Sequence, residues 1–238
     1  MALLGKGALV IWHDPAPEIE SDYNEWHSKE HMYERVGVPG FRRGQRGVAL
    51  TGAPKYFNFY EVDDFATLTS QAYLDRLNDP TPWTRRVAPH MHNNSRTLCR
   101  VVASLGAGVP AFWTMILLAP AAGGEEALRG WLAEEALPQL VARPGILGAH
   151  LLEGERSASG TDTVEKRLRS GSTELVDWVI LVGGYDSEAL AAVRADALSE
   201  ATLADHDAAS SRLRGIYRLV HCVTEADVPA WSRGTNHT

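Results

Sequence analysis

The stretch WHSKEHMYERVGVPGF (residues 26–41) places His27 and His31 four positions apart, follows them with Glu34, and ends on Pro39-Gly40 before Phe41. Apolar and aromatic residues recur at helical spacing as far as Val36, and the Pro-Gly pair then stops the helix and turns the chain. Sliding the sequence along itself by 105 positions brings a second version of this pattern beneath the first. Trp26 falls on Trp131, Glu30 on Glu135, Val36 on Val141 and Pro39-Gly40 on Pro144-Gly145, without a gap. Upstream, VIWHDP (10–15) falls on MILLAP (115–120).

After the Pro-Gly pair the offset grows to 121, because the second copy carries the polar run ERSASGTDTVEKRLRSGST (155–173) before DWVILV, which matches YFNFYEV. That run is predicted to be a long exposed hairpin loop. The offset then shrinks to 118, where Arg96 and Arg100 meet Arg214 and Arg218. Each copy reads strand, helix, strand, strand, helix, strand. In the first copy, GALVIW is a strand, and Asp22 with Glu25 forms a capping box for a helix running to about Val36. FRRGQRGVAL and KYFNFYEV alternate as strands around the turn TGAP, FATLTSQAYLDRL is the second helix, and RTLCRVVASL is the last strand. The counterparts are FWTMILL, EEALRGWLAEEALPQLV, ILGAHLLE, DWVILVGG, EALAAVRADALSEA and GIYRLVHCV.

The expected fold class is therefore α+β: two ferredoxin-like βαββαβ repeats, residues 1–108 and 109–225, followed by a polar tail at 226–238. Helices cover one face of each antiparallel sheet, and packing the two sheets together into an α+β barrel buries the other within one chain. A length of 238 residues with 45% hydrophobic composition suffices for that core.

A formal charge of -7 with scattered Lys and Arg argues against nucleic acid as a partner. Apolar runs such as TMILLAPAA fall far short of the roughly 20 residues that span a bilayer, so no membrane crossing is expected. Cys99 and Cys222 lie in apolar, strand-like segments, and no early stretch has the parts of a signal peptide. Free thiols and a cytoplasmic location are the expectation.

The tryptophan- and histidine-bearing helix that runs into Pro-Gly-Phe, followed by an alternating strand, resembles the dimeric α+β barrel superfamily, particularly its EthD and NIPSNAP-like branches. The resemblance covers roughly residues 6–224 and implies a barrel and a pocket. That superfamily includes cofactor-free monooxygenases, muconolactone-type isomerases, polyketide cyclases and haem enzymes, so the fold alone does not select a reaction.

The copies differ most in histidine. His13, His27, His31, His90 and His92 align with Leu118, Leu132, Ala136, Ala208 and Ser210, which points to one functional pocket in the first copy and a scaffold in the second. His27 and His31 share a helix face with Tyr23 one turn earlier. An imidazole with an ordinary pKa near 6.5 can accept and return a proton at neutral pH. His31 matches the family's helix histidine most closely and is the first candidate acid or base, with His27 or His13 as second proton carrier. Tyr23, Tyr60 and Trp83 offer flat walls for a ring. His90 and His92 could complete the pocket, and Arg43 and Arg46 could anchor a carboxylate or enolate oxygen.

HSKEH also matches the H-x-x-E-H zinc-peptidase pattern, but no glutamate lies between Glu61 and Glu125 to supply the third ligand, and the match is accidental. A divalent metal ion on His27, His31 and His13 remains the alternative to a site without cofactor. The expected function is a cofactor-independent isomerase, cyclase or lyase acting on a small oxygenated aromatic or unsaturated ring-cleavage compound, as a monomeric barrel or a homodimer. The alternatives are a metal-dependent enzyme, a cofactor-free monooxygenase, and a non-catalytic binder of haem or a hydrophobic ligand.

Overall fold

The computed structural model describes residues 3–169, 171 and 173–229. Eight strands, β1 (Gly7–Pro15), β2 (Phe41–Gly52), β3 (Tyr56–Val62), β4 (Met91–Gly106), β5 (Phe112–Pro120), β6 (Ile146–Gly154), β7 (Trp178–Gly184) and β8 (Ala208–Thr224), form one closed barrel. Its order is β1-β3-β2-β8-β5-β7-β6-β4, and every pairing is antiparallel. The two four-stranded sheets, from residues 7–106 and 112–224, join edge to edge where β2 pairs with β8 and β4 with β6. Closure leaves no strand edge unpaired and needs no second chain.

Alternation along the strands sorts side chains into two layers. Val10, Trp12, Phe57, Phe59, Trp113, Met115, Leu181 and Tyr217 fill the barrel. The opposite faces lie beneath the helices. In the second half that outer layer is apolar beneath the first helix, with Ile116, Leu118, Leu128, Leu132, Leu151, Trp178, Ile180 and Val182 in one cluster.

Strand pairing corrects the repeat alignment. Leu9, Ile11 and His13 pair with Tyr60, Asn58 and Tyr56, while Thr114, Ile116 and Leu118 pair with Val182, Ile180 and Trp178. The β3-to-β7 offset is thus 122 rather than 121, and the single residue matters because it exchanges sheet faces. Asn58 corresponds to Ile180 under the helices, not to Val179 inside the barrel. Similarly, Ile11 pairs with Arg96 and Ile116 with Leu213, because a register shift in β8 displaces Arg214 from the position matching Arg96.

The helix carrying the histidines runs as α-helix Glu20–Trp26, a π-helical turn His27–His31 and α-helix Met32–Val36. It starts on a 3-10 turn at Pro17–Ile19. The expected capping box is absent: Asp22 lies inside the first turn and accepts hydrogen bonds from the Trp83 indole and Arg86 instead. A π turn recurs at Leu132–Ala136 in the second half, so it belongs to the scaffold rather than to the histidines. Gly40 and Gly145 take φ of +90° and +87° after their prolines, a conformation that only glycine adopts freely. The second helix of the first half breaks into a 3-10 turn Phe65–Thr69 and helices Gln71–Asn78 and Pro82–Val87, the first helix capped by Ser70 and the second by Thr81.

The polar insertion is not an exposed loop. It forms short helices Arg156–Ser159 and Val164–Leu168 that fold back onto the first half. Ser159 Oγ accepts from the Leu98 amide, Asn78 Oδ1 accepts from the Val164 amide, and Glu165 is buried against Arg35. The expected tail begins at a 3-10 turn Glu225–Asp227 held by Thr224 and Asp227, and residues 230–238 lie outside the described residues. Cys99 is buried and Cys222 partly so, and neither is in a disulfide. Among the described residues no helix is long and apolar enough to cross a membrane.

Candidate functional site

Beneath the histidine helix, the outer face of the first half is polar where the second half is apolar. β1 delivers His13, β2 Arg46, and β3 Tyr56, Asn58 and Tyr60, while the helix turns Tyr23, Trp26, His27 and His31 toward them. The π turn helps, because with more than four residues per turn, positions 27 and 31 point almost the same way. Tyr23, His27 and His31 are 0%, 2% and 4% exposed.

The rings form a continuous chain. His13 Nε2 and the Tyr23 hydroxyl share a hydrogen bond of 2.8 Å. The Tyr23 ring lies 4.7 Å from Tyr56 and 5.5 Å from His27, His27 lies 5.5 Å from His31, and His31 lies 4.2 Å from Trp26. The Arg46 guanidinium sits 6.0 Å from the centres of both the Tyr23 and Tyr56 rings and donates to Ser28 Oγ at 2.8 Å. His27 Nδ1, His31 Nδ1, Arg46 Nε, Asn58 Oδ1 and the Tyr60 hydroxyl are buried without a hydrogen-bond partner among the described residues. Buried polar atoms are normally paired, so five orphans in one cluster mark a place prepared for something other than packing.

Burial sets the protonation states. It lowers His27 well below the ordinary imidazole value, with Arg46, His31 and His13 adding to the effect. It does the same to His31, joined by Arg35 and Arg169. His13 is pushed down to about 3 by burial, then Arg169 and Arg46. Burial raises the Tyr23 and Tyr60 phenols. At neutral pH the cluster therefore holds uncharged imidazoles and protonated phenols around a fixed guanidinium cation.

Of the residues named from sequence, His13, His27, His31, Tyr23, Tyr60 and Arg46 come together here. The others do not. His90 and His92 are exposed, at the end of a 3-10 turn and in the strand pair opposite Asp14. Their alignment with non-histidine residues reflects surface variation. Arg43 lies inside the barrel, bidentate on Glu61 at 2.6 and 3.0 Å, so its charge is already matched. Trp83 packs at the margin of the cluster, with its indole N–H on Asp22 at 2.9 Å and Arg86 over its ring.

Four participants escaped the sequence reading. Asn58 was legible only with the right β3 register. Arg35, Glu165 and Arg169 meet only because the insertion folds back: Glu165 accepts from both arginines, and Leu168 beside them packs against the cluster of Tyr23, Trp26 and Tyr56. No three His, Cys, Asp or Glu side chains among the described residues come close enough to share a metal ion. The ligand set His13, His27 and His31 is thus not formed, since the Tyr23 ring contacts both His13 and His27 and holds the hydrogen bond to His13.

No family model matches the chain, and no curated protein matches it. Solved structures do. An anthrone oxidase-like protein superposes with a TM-score of 0.63 at 12% identity, covering 96% of this chain and 97% of that one. A candidate monooxygenase from Fusobacterium nucleatum gives 0.59 at 11% identity over 94% and 96% of the chains. One from Lactobacillus acidophilus gives 0.56 at 10% identity over 92% and 97%. At such identities these likenesses establish the ferredoxin-like α+β barrel as the shared fold and nothing further.

Proposed function

We propose that the protein is a small-molecule enzyme that removes a proton from an oxygenated, enolisable or phenolic ring compound. His31 or His27 is the base and Arg46 holds the oxygen anion that results. The observation that carries this reading is the contrast between halves. His13, Tyr23, His27, His31, Arg46, Asn58 and Tyr60 occupy positions that the second half fills with Leu118, Leu128, Leu132, Ala136, Leu151, Ile180 and Val182, all in a dry core. The fold is stable with apolar residues there, so the polar set serves a purpose other than folding.

Burial overturns the near-neutral imidazole expected from sequence: His27 and His31 are free bases at neutral pH but weakened ones, and the anion formed beside them has to restore their basicity. A buried, uncharged histidine accepts a proton from a neutral carbon or oxygen acid, and the imidazolium and anion so formed neutralise one another, with the Arg46 cation fixed beside them. His13 and the Tyr23 hydroxyl position one another through their shared hydrogen bond. The rings are in contact, so a substrate needs the cluster to open, and Leu168 of the insertion, packed against it, is one side chain that would have to move. The anion can be reprotonated at another carbon, giving an isomerase, cyclase or lyase, or it can be captured by O₂. The names of the solved neighbours, an anthrone oxidase-like protein and candidate monooxygenases, support the second outcome. The chain is taken to be a tandem duplication of one ferredoxin-like unit, with the first copy active.

The test is incubation with a panel of anthrones, naphthols and dienelactones. Exchange of the acidic C–H for deuterium in D₂O without oxygen reports deprotonation, and oxygen uptake in air reports monooxygenation. The expected result is exchange or uptake that falls at least about tenfold in His31→Ala and His27→Ala while the fold persists. Turnover unchanged in both variants would remove the assignment.

A further inference from the structure

A second feature lies under the insertion, adjoining the histidine cluster through Arg169 but lined by none of its rings. Leu68, Leu74, Leu77 and Leu98 from the first half and Ala158 and Thr161 from the insertion line a small cavity of about 70 Å³, partly open to solvent. Arg96, Glu165 and Arg169 also line it. Both Glu165 oxygens are taken, Oε2 by Arg35 and Oε1 by Arg169 at 2.6 Å. Arg96 makes no ion pair among the described residues and donates instead to the Tyr73 hydroxyl at 2.9 Å. The next carboxylate along, Glu34, faces Arg76 at 3.6 Å. Four guanidinium cations, Arg35, Arg76, Arg96 and Arg169, thus share two carboxylates, Glu165 and Glu34, beside an apolar hollow.

Such an excess of buried positive charge is costly unless an anion joins it. The donors for that anion are present. Arg169 lines the cavity with its side chain 8% exposed and its Nε without a partner among the described residues, and Arg96 lines it beside Arg169. We propose that this cavity binds a small organic carboxylate, its head between Arg96 and Arg169 and its apolar body against Leu68, Leu74, Leu77 and Leu98. An inorganic anion would satisfy the charge but leave the leucine walls unmatched. Burial and the neighbouring Arg96 and Arg35 push Arg169 below its ordinary value while Glu165 opposes them, in keeping with a site short of negative charge. The site joins residues from both halves and does not rest on the proton-transfer reading above.

Titration calorimetry of the full chain with benzoate, benzamide and sulfate tests it. Saturable benzoate binding is expected, with benzamide and sulfate weaker by about tenfold or more. Arg169→Gln should weaken benzoate by about tenfold or more by removing a charged donor. Leu74→Trp, at a half-buried position that leaves every charge in place, should block binding by filling the hollow. His31→Ala should bind benzoate as the wild type does, so that this site and the histidine site fail separately. Absence of saturable benzoate binding, equal affinity for benzamide or sulfate, or undiminished binding in folded Leu74→Trp would overturn the proposal.

Discussion

Replacing His27 by leucine should make the protein more stable and less active at once. The His27 ring is 2% exposed and its Nδ1 has no partner among the described residues. An unmet polar group of that kind costs about 1–3 kcal/mol. The second half places Leu132 at the equivalent position within an unbroken apolar cluster, so the local geometry accepts leucine. Imperfect ring-to-branch replacement offsets part of the gain, leaving a net stabilisation of about 1 kcal/mol at pH 7.5. The advantage should widen in acid. Because the folded state holds His27 below its unfolded pKa, the unfolded chain binds the extra proton. The stability from keeping this ring neutral is fully present above about pH 6.5 and is lost as pH falls toward the folded value. Leucine removes that loss, up to about 1.4 kcal/mol per pH unit, or about 2 kcal/mol between pH 6.5 and 5. Urea unfolding of both proteins at half-unit pH steps measures it, with turnover recorded in parallel. A variant destabilised by more than about 1 kcal/mol at pH 7.5, or one whose acid slope equals that of the wild type, would refute the reasoning. His13 and His150, both held near 3 mainly by burial, should leave the variant with residual acid sensitivity.

Further outcomes follow from the same geometry. Arg46→Gln should reduce kcat/KM by about 10²- to 10³-fold, by analogy with the loss of an anion-stabilising donor, and a steady-state assay that shows less than a threefold change would discard Arg46 as the anion's partner. Arg35→Met removes one of the two arginines paired with Glu165 and leaves Arg169 in place, so it should cost about 1–2 kcal/mol in urea unfolding, the loss of a charged hydrogen bond partly offset by relief of excess positive charge. An unaffected midpoint would mean that the insertion does not dock as described.

Local chemistry and periodicity determined much of this protein before any fold was seen. Eight strands, the helix that stops at Pro39-Gly40, its echo at Pro144-Gly145 and the one-sided loss of His13, His27 and His31 are properties of neighbouring residues. A one-dimensional string carries those. It could not separate His13 from His90 and His92, because a histidine at a strand end reads the same whether the strand turns it under a helix or into water. Arg43 and Arg46 were likewise equivalent until the strand register sent one to Glu61 inside the barrel and the other to Tyr23 outside it. The register of β3 against β1 decided whether Asn58 belonged to the site, since one residue of slip exchanges the faces of a sheet. The docking of the insertion was decided by contacts reaching from Arg35 to Glu165. A polar run of that composition is a solvated loop unless a distant part of the chain offers it partners, and only the closed barrel brings those partners within reach.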